Sequence, residues 1–338
     1  MSHSISLQKT RGAGLSRLQL VLGLMGFIWL SLCVYVIFPD AFGAYQSYIT
    51  LPAAAAVVAV YVLMFQMWRG SRIAIVGLSL VSFWIMVSVL VPALPLIDPN
   101  KPIAPFLSPG SSKDGLTFWL GTDMRGRDIL SRALWGSQRI LVWGITSTAS
   151  AYFVGISLGL MAGYLRGWWD EVFSYLTNVL LSFPVMVLLI LMLNYLGQSP
   201  FNVILAITCS SAPSIMRIVR GLALQERSRD YVHAAQVRGE SALWIMVMEI
   251  VPNIRGPLIV DACLRLGYTT VAITTLTFLG LGLQPPDPDW GLMIREATSS
   301  AMVWKFAYML IIPSLSITTL ILGFNLIADG LRELSLRD

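Results

Sequence analysis

Long apolar runs recur from one end of this 338-residue chain to the other, and they constrain its fold more than any other feature. A helix needs about 20 predominantly apolar residues to cross a bilayer, and the chain offers about eight runs of that order. They cover residues 18–38, 51–68, 73–91, 140–164, 172–196, 201–219, 258–283 and 306–328. Charged residues make up 12% of the chain, about half of the roughly 25% usual in a soluble domain. The first run exceeds the about 7–15 apolar residues of a signal peptide and lacks a small-x-small cleavage site, so it reads as a retained span. The expectation is an all-α integral membrane protein with about eight transmembrane helices.

Charge sets the orientation, because cytoplasmic loops carry an excess of Lys and Arg. Lys9, Arg11 and Arg17 before the first run, Arg69 and Arg72 after the second, and Arg332 and Arg337 at the end all point to cytoplasmic termini. The 92–139 segment then lies outside, although Arg125, Arg127, Arg132 and Arg139 run against the rule there; Asp123 and Asp128 are available to pair with some of them. Residues 129–139 read as a helical lead-in to the run at 140–164. Within that run, Gly155, Gly159 and Gly163 form a small-xxx-small stripe of the kind that lets helices approach closely. Pro184 kinks the run at 172–196. Trp68, Trp168, Trp169, Trp290 and Trp304 fall near run ends and read as interfacial anchors. Asp261 and Arg265, at i and i+4 near the start of the 258–283 run, are candidates for a lined pathway or for a structural ion pair.

Several function classes are excluded or disfavoured. The net charge of +5 suits a membrane protein with basic loops, and no basic cluster interleaves with aromatics as a nucleic-acid surface would. Cys33, Cys209 and Cys263 lie in or beside apolar runs without metal-ligand spacing. Histidine occurs only at His3 and His233, which leaves no basis for a histidine-centred metal or catalytic site. No G-x-x-x-x-G-K-[ST] phosphate loop is present, so ATP is not expected to bind this chain.

The most informative polar interval is 217–255, which carries Arg217, Arg220, Arg227, Arg229, Arg238 and Arg255 and so belongs inside. His233, Ala234, Ala235, Val237 and Gly239 lead into Leu243, Trp244, Ile245, Val247 and Met248, with Pro252 behind them. The segment is too apolar for a solvated linker and too charged to span. It reads as one or two short amphipathic helices pressed against a partner or the membrane surface.

His233-Ala234-Ala235, Gly239 and Pro252 resemble the EAA loop of ABC-importer permeases, with His233 in place of the usual Glu and Glu249 where an apolar residue is expected. Gly121, Asp123, Gly126, Arg127 and Asp128, continuing to Ser131-Arg132, resemble the pre-span signature of the C-type dipeptide/oligopeptide/nickel permeases. Phe278 to Leu283, Pro285, Pro286, Trp290 and Gly291 resemble the segment after the penultimate span of the same subunits. The resemblance implies a six-span type I ABC-importer permease core over residues 73–338, preceded by a two-span extension over 1–72. It implies a coupling loop at 217–255 in which His233, Ala234, Ala235, Gly239, Leu243, Trp244 and Pro252 face an ATPase. For Asp123, Arg125, Arg127 and Asp128 the choice is between an internally paired turn and a contact for an external binding protein. The implied partners are a homologous B-type permease, one or two kinds of P-loop ATPase that carry the ATP and Mg, and an external substrate-binding protein. The implied location is the bacterial inner membrane, and the implied cargo is peptides, or nickel complexes, opines or other small solutes. The rival reading, an ion-coupled secondary transporter, calls for inverted repeats and midplane ionisable residues, and no internal repeat is visible. A membrane-embedded enzyme calls for a convergent set of catalytic side chains that the two histidines do not supply.

Overall fold

The computed structural model describes residues 46–67, 71–282, 284–299 and 304–335, so the expected span at 18–38 lies outside the described residues. In chain order the helices are α1 (Gln46–Met67), α2 (Arg72–Leu90), α3 (Ile129–Leu160), α4 (Trp168–Leu181), α5 (Val185–Leu196), α6 (Pro200–Arg227), α7 (Asp230–Val237), α8 (Ala242–Phe278), α9 (Trp290–Thr298) and α10 (Tyr308–Ser335). Among the described residues five helical stretches (Arg72–Ala93, Ile129–Leu165, Pro200–Arg227, Ala242–Phe278 and Tyr308–Glu333) are long and apolar enough to cross a membrane, and α4 with α5 meets the same measure only when the bent pair is taken together. The apolar part of α1, Pro52–Gln66, is shorter than these. Among the described residues the only strands are a small antiparallel ribbon, β1 (Ser111–Lys113) against β2 (Leu116–Phe118), inside the 92–139 segment.

The chain divides into two compact units, Met1–Val142 with Pro288–Asp338, and Trp143–Asp287. In the first, α2 and α10 lie in close contact because small residues face each other. A Cβ on Gly77 would come within 2.7 Å of the Ile327 backbone nitrogen, and one on Gly330 within 2.4 Å of Ala74 Cβ. α1, the described part of the 1–72 extension, packs on α2 through Ala53, Ala56, Val57 and Val60 against Val89, Ile85 and Met86. In the second unit the glycine stripe of α3 meets α6 residue by residue. Cβ atoms on Gly155, Gly159 and Gly163 would come within 2.6, 2.6 and 2.7 Å of Cβ atoms on Ile215, Val219 and Ala223. The stripe therefore works as the sequence indicates, by letting two backbones approach.

Three expected boundaries shift. The lead-in and span at 129–164 are one helix, α3, closed by a wide π turn over Met161–Leu165. The kink expected at Pro184 is a full break: α4 and α5 meet at 92°, with Pro184 capping α5. A proline disfavours helical backbone at the residue before it, which stops α4 there. The helix expected to begin near residue 258 begins at Ala242. Ile245, Met246, Ile250, Ile254 and Leu258 keep a buried stripe running past the charged residues on the opposite face.

Candidate functional site

The 217–255 interval folds as a helix–turn–helix whose two faces differ. Its inner face is fixed: Val232 and Ala235 of α7 are fully buried against Tyr164, Val219, Ala223, Ile245 and Ile250. Tyr164 is also held by Gln236, whose Nε2 donates to its hydroxyl at 3.2 Å, and by the Arg227 guanidinium over its ring. Tyr231 donates to Glu226 at 2.8 Å, and burial, followed by that carboxylate, pushes its phenol up to about 12.

The turn follows from Gly239. It stands at φ +81, its N–H bonds the Gln236 carbonyl, and the Glu240 N–H reaches back to Ala235. That pattern ends a helix by passing one residue through the left-handed region, where glycine alone carries no Cβ penalty. Beyond its two chain neighbours, no atom lies within 4 Å of where a Gly239 Cβ would stand, so the glycine serves the turn and not a close approach within the chain. Ser241 then caps α8 by accepting the Trp244 N–H at 3.3 Å. Pro252 supplies no N–H, and the helix before it widens into a π turn over Ile245–Ile250, closed by the Val251 N–H on the Met246 carbonyl.

The outer face is apolar and uncovered in the isolated chain. Val237 is 89% exposed, Leu243 69%, Met248 59%, Val247 43% and Trp244 38%. His233, Ala234 and Pro252 are also exposed, whereas Ala235 points inward. Val237 and Met248 complete this face without a role having been read for them in the sequence; the signal was their position on the helix side away from the buried stripe. Glu249, one of the two residues that depart from the resembling pattern, lies 3.1 Å from Arg238 and so ties the start of α8 to the end of α7. Arg238 is about half exposed, so the pair contributes at most about 1 kcal/mol. Glu249→Gln should lower thermal stability by less than that, checked by a detergent-solubilised melting curve.

Deeper in the same unit, Arg265 Nε donates to Asp261 Oδ2 at 2.7 Å, and the Tyr152 hydroxyl donates to the same carboxylate. Because α8 extends back to Ala242, the pair lies in the interior of the helix rather than near its start. Arg265 also lines a cavity of about 240 Å3 with Leu189, Ser210, Ser211, Tyr268 and Thr269. Tyr152 was not read as part of this group, since nothing in its local sequence links it to a helix a hundred residues away.

In the other unit, residues 121–128 form a tight buried knot. Gly121 and Gly126 take positive φ, with the backbone of residues 104–109 pressed against them. Thr122 Oγ1 donates to the Ala104 carbonyl at 2.6 Å, and Asp123 Oδ1 accepts the N–H groups of Arg125 and Arg127 at 2.8 and 2.9 Å. Arg127, 4% exposed, pairs with Asp123 and with Glu296 on α9. Asp128 caps α3, its Oδ2 accepting from Ser131 N and Oγ. Arg125 keeps its side chain 55% exposed while approaching Glu296 at 3.5 Å. The internally paired reading thus describes Arg127 and Asp123, with Glu296 as a member that only tertiary structure reveals.

Trp290 is a correction. Read as an interfacial anchor, it is fully buried: its indole N–H donates to the Ala133 carbonyl at 2.7 Å, and its ring lies where a Gly136 Cβ would be. Asp289 beside it caps α9 through the Leu292 N–H, and Gly291 is buried behind it. Trp168, Trp169 and Trp304 are exposed, while Trp68 lies outside the described residues. Pro285 and Pro286 are exposed and joined by a cis peptide bond.

Comparison with known proteins agrees with this architecture. Residues 155–337 match the family described as binding-protein-dependent transport system inner membrane component. A glutathione transport system permease protein of Pectobacterium atrosepticum is 38% identical over 64% of this chain and 71% of its own length. Dipeptide transport system permease proteins of Haemophilus influenzae and Alkalihalophilus pseudofirmus are 35% and 33% identical, over 79% and 80% of this chain and 90% and 87% of theirs. With a family match over more than half its length and relatives of this coverage, the chain belongs to the inner-membrane components of binding-protein-dependent transport systems, as a multi-pass permease subunit of an ABC importer.

Proposed function

We propose that this permease forms half of a translocation pathway for peptides or similar small solutes and couples it to separate ATPase subunits through the outer face of α7 and the start of α8. The single observation that supports the coupling surface is its two-sidedness. Val232, Ala235, Ile245 and Ile250 lock the element to the spanning helices, while Val237, Leu243, Trp244, Val247 and Met248 offer an apolar face to a groove. A lever needs both: rigid attachment on one side and a docking face on the other. Peptide cargo is supported by the relatives named for dipeptide and glutathione transport. In this reading a homologous B-type permease supplies the other half of the pathway, one or two kinds of P-loop ATPase carry the ATP and Mg, and a substrate-binding protein delivers from outside. Both termini are cytoplasmic, and Asp261 with Arg265 borders the pathway.

The test is a tagged purification from detergent-solubilised membranes with mass spectrometry of what accompanies the chain. A second permease of the same family and at least one P-loop ATPase are expected. Recovery of the chain alone, or only with copies of itself, would count against the assembly.

A further inference from the structure

Arg265 stands thirteen residues before the Phe278 end of α8, about 20 Å along the axis at 1.5 Å per residue. In a hydrocarbon core about 30 Å thick that is well below the headgroups. An ionised side chain at such depth is expensive unless it faces protein or a water-filled cavity. Here it does both. Its Nε is committed to Asp261, which Tyr152 holds from the other side, and the residue lines the cavity bounded by α5, α6 and α8. Arg265 is the one charged residue among the cavity's lining residues; Asp261 is not among them. The cavity therefore presents a cation with its counter-ion recessed, surrounded by the hydroxyl-bearing residues Ser210, Ser211, Tyr268 and Thr269. An ion pair that served only helix packing would not need its cationic member alone to border a cavity.

We infer that Arg265 is the recognition residue of a subsite for the carboxylate end of a passing solute; this rests on the proposal that the Asp261–Arg265 region borders the pathway. The guanidinium is a planar fork with five N–H donors, and engaging Asp261 through Nε leaves donors for a second carboxylate. At about 240 Å3 the cavity has room for a carboxylate and the residue that carries it. Asp261 keeps Arg265 positioned when the cavity is empty and competes with the solute when it is full. Binding is thus kept weak enough for release, as a conduction site requires.

The test uses the full importer complex in proteoliposomes, with Cys33, Cys209 and Cys263 replaced by alanine and Ser211→Cys as reporter. Its modification rate is measured with an anionic sulfonatoethyl and a cationic trimethylammonioethyl methanethiosulfonate. Arg265→Gln should lower the anionic-to-cationic rate ratio about five-fold, the size expected when a single charge near the thiol is lost in a partly screened cavity. Arg265→Lys, which keeps the charge, should keep the ratio. Uptake of alanylalanine should fall about ten-fold or more in Arg265→Gln, as the loss of a charge-assisted hydrogen bond implies, and recover only in part in Arg265→Lys, which lacks the fork. An unchanged ratio, or a thiol that reacts with neither reagent, overturns the subsite. If wild-type complex takes up no alanylalanine, the peptide reading fails by itself, and the reagent ratio still decides the subsite.

Discussion

Val237→Glu is expected to leave the permease inserted and paired yet to reduce solute-stimulated ATPase activity of the assembled complex by more than ten-fold. Val237 is 89% exposed on α7, so the fold has little to lose. A glutamate near the C-terminal end of a helix opposes the helix dipole by only about 0.3–1 kcal/mol. In the docked state the same carboxylate would be held against an apolar groove without a partner. Truncating a hot-spot residue of an interface costs about 2 kcal/mol or more, and an unpaired buried charge costs several. Leu243→Glu should act in the same direction, and Val237→Ala should be milder. Coupled ATPase activity, together with the amount of ATPase that copurifies, reads the effect. Full stimulation in both glutamate variants would remove α7 from the docking face.

The second large effect belongs to the other unit. Arg127→Ala should destabilise it by about 3–5 kcal/mol, because breaking a buried pair strands the remaining charges. Asp123 and Glu296 have side chains 10% and 9% exposed, and Arg127 pairs with both; Arg132 comes only to 4.0 Å of Asp123, and the exposed Arg125 to 3.5 Å of Glu296. With the guanidinium gone, two carboxylates face each other across the joint between the 121–128 knot and α9. A domain is stable by only about 5–15 kcal/mol in total, so the loss is a large fraction of that stability and opening of the joint becomes far more frequent. Limited proteolysis within residues 103–128 and a lowered melting temperature are the expected readouts. Glu296→Gln, which leaves Asp123 still paired with Arg127, should cost clearly less. Equal stability of Arg127→Ala and wild type would contradict the account of this cluster.

The sequence made the spanning helices legible because burial in lipid demands long apolar runs: 201–219 falls within α6, and 73–91 and 306–328 coincide with α2 and α10 except for one or two end residues. The ends of helices were less legible. α8 reaches back to Ala242 because its buried stripe continues beneath charges that interrupt a linear hydropathy reading. The break between α4 and α5 was located through Pro184, but its 92° size depends on what each half packs against. Gly239 takes the positive φ that the turn between α7 and α8 requires, a geometry its neighbours in the sequence do not announce. Trp290 shows the limit most clearly: its position beside a run end suggests an interface, and the pocket that buries it is made by Ala133 and Gly136, far away in the chain. Glu296 and Tyr152 escaped for the same reason, since each completes its cluster from another helix.

Cysteine-specific cross-linking across the proposed docking face tests the central claim most directly. Single cysteines at Val237 and Leu243, in a complex purified with its ATPase subunits, should form adducts with an ATPase, while one at the exposed Trp119 of the other unit should form none. If positions 237 and 243 stay unlinked while the ATPase copurifies and joins the chain elsewhere, the coupling surface is not on α7 and the start of α8.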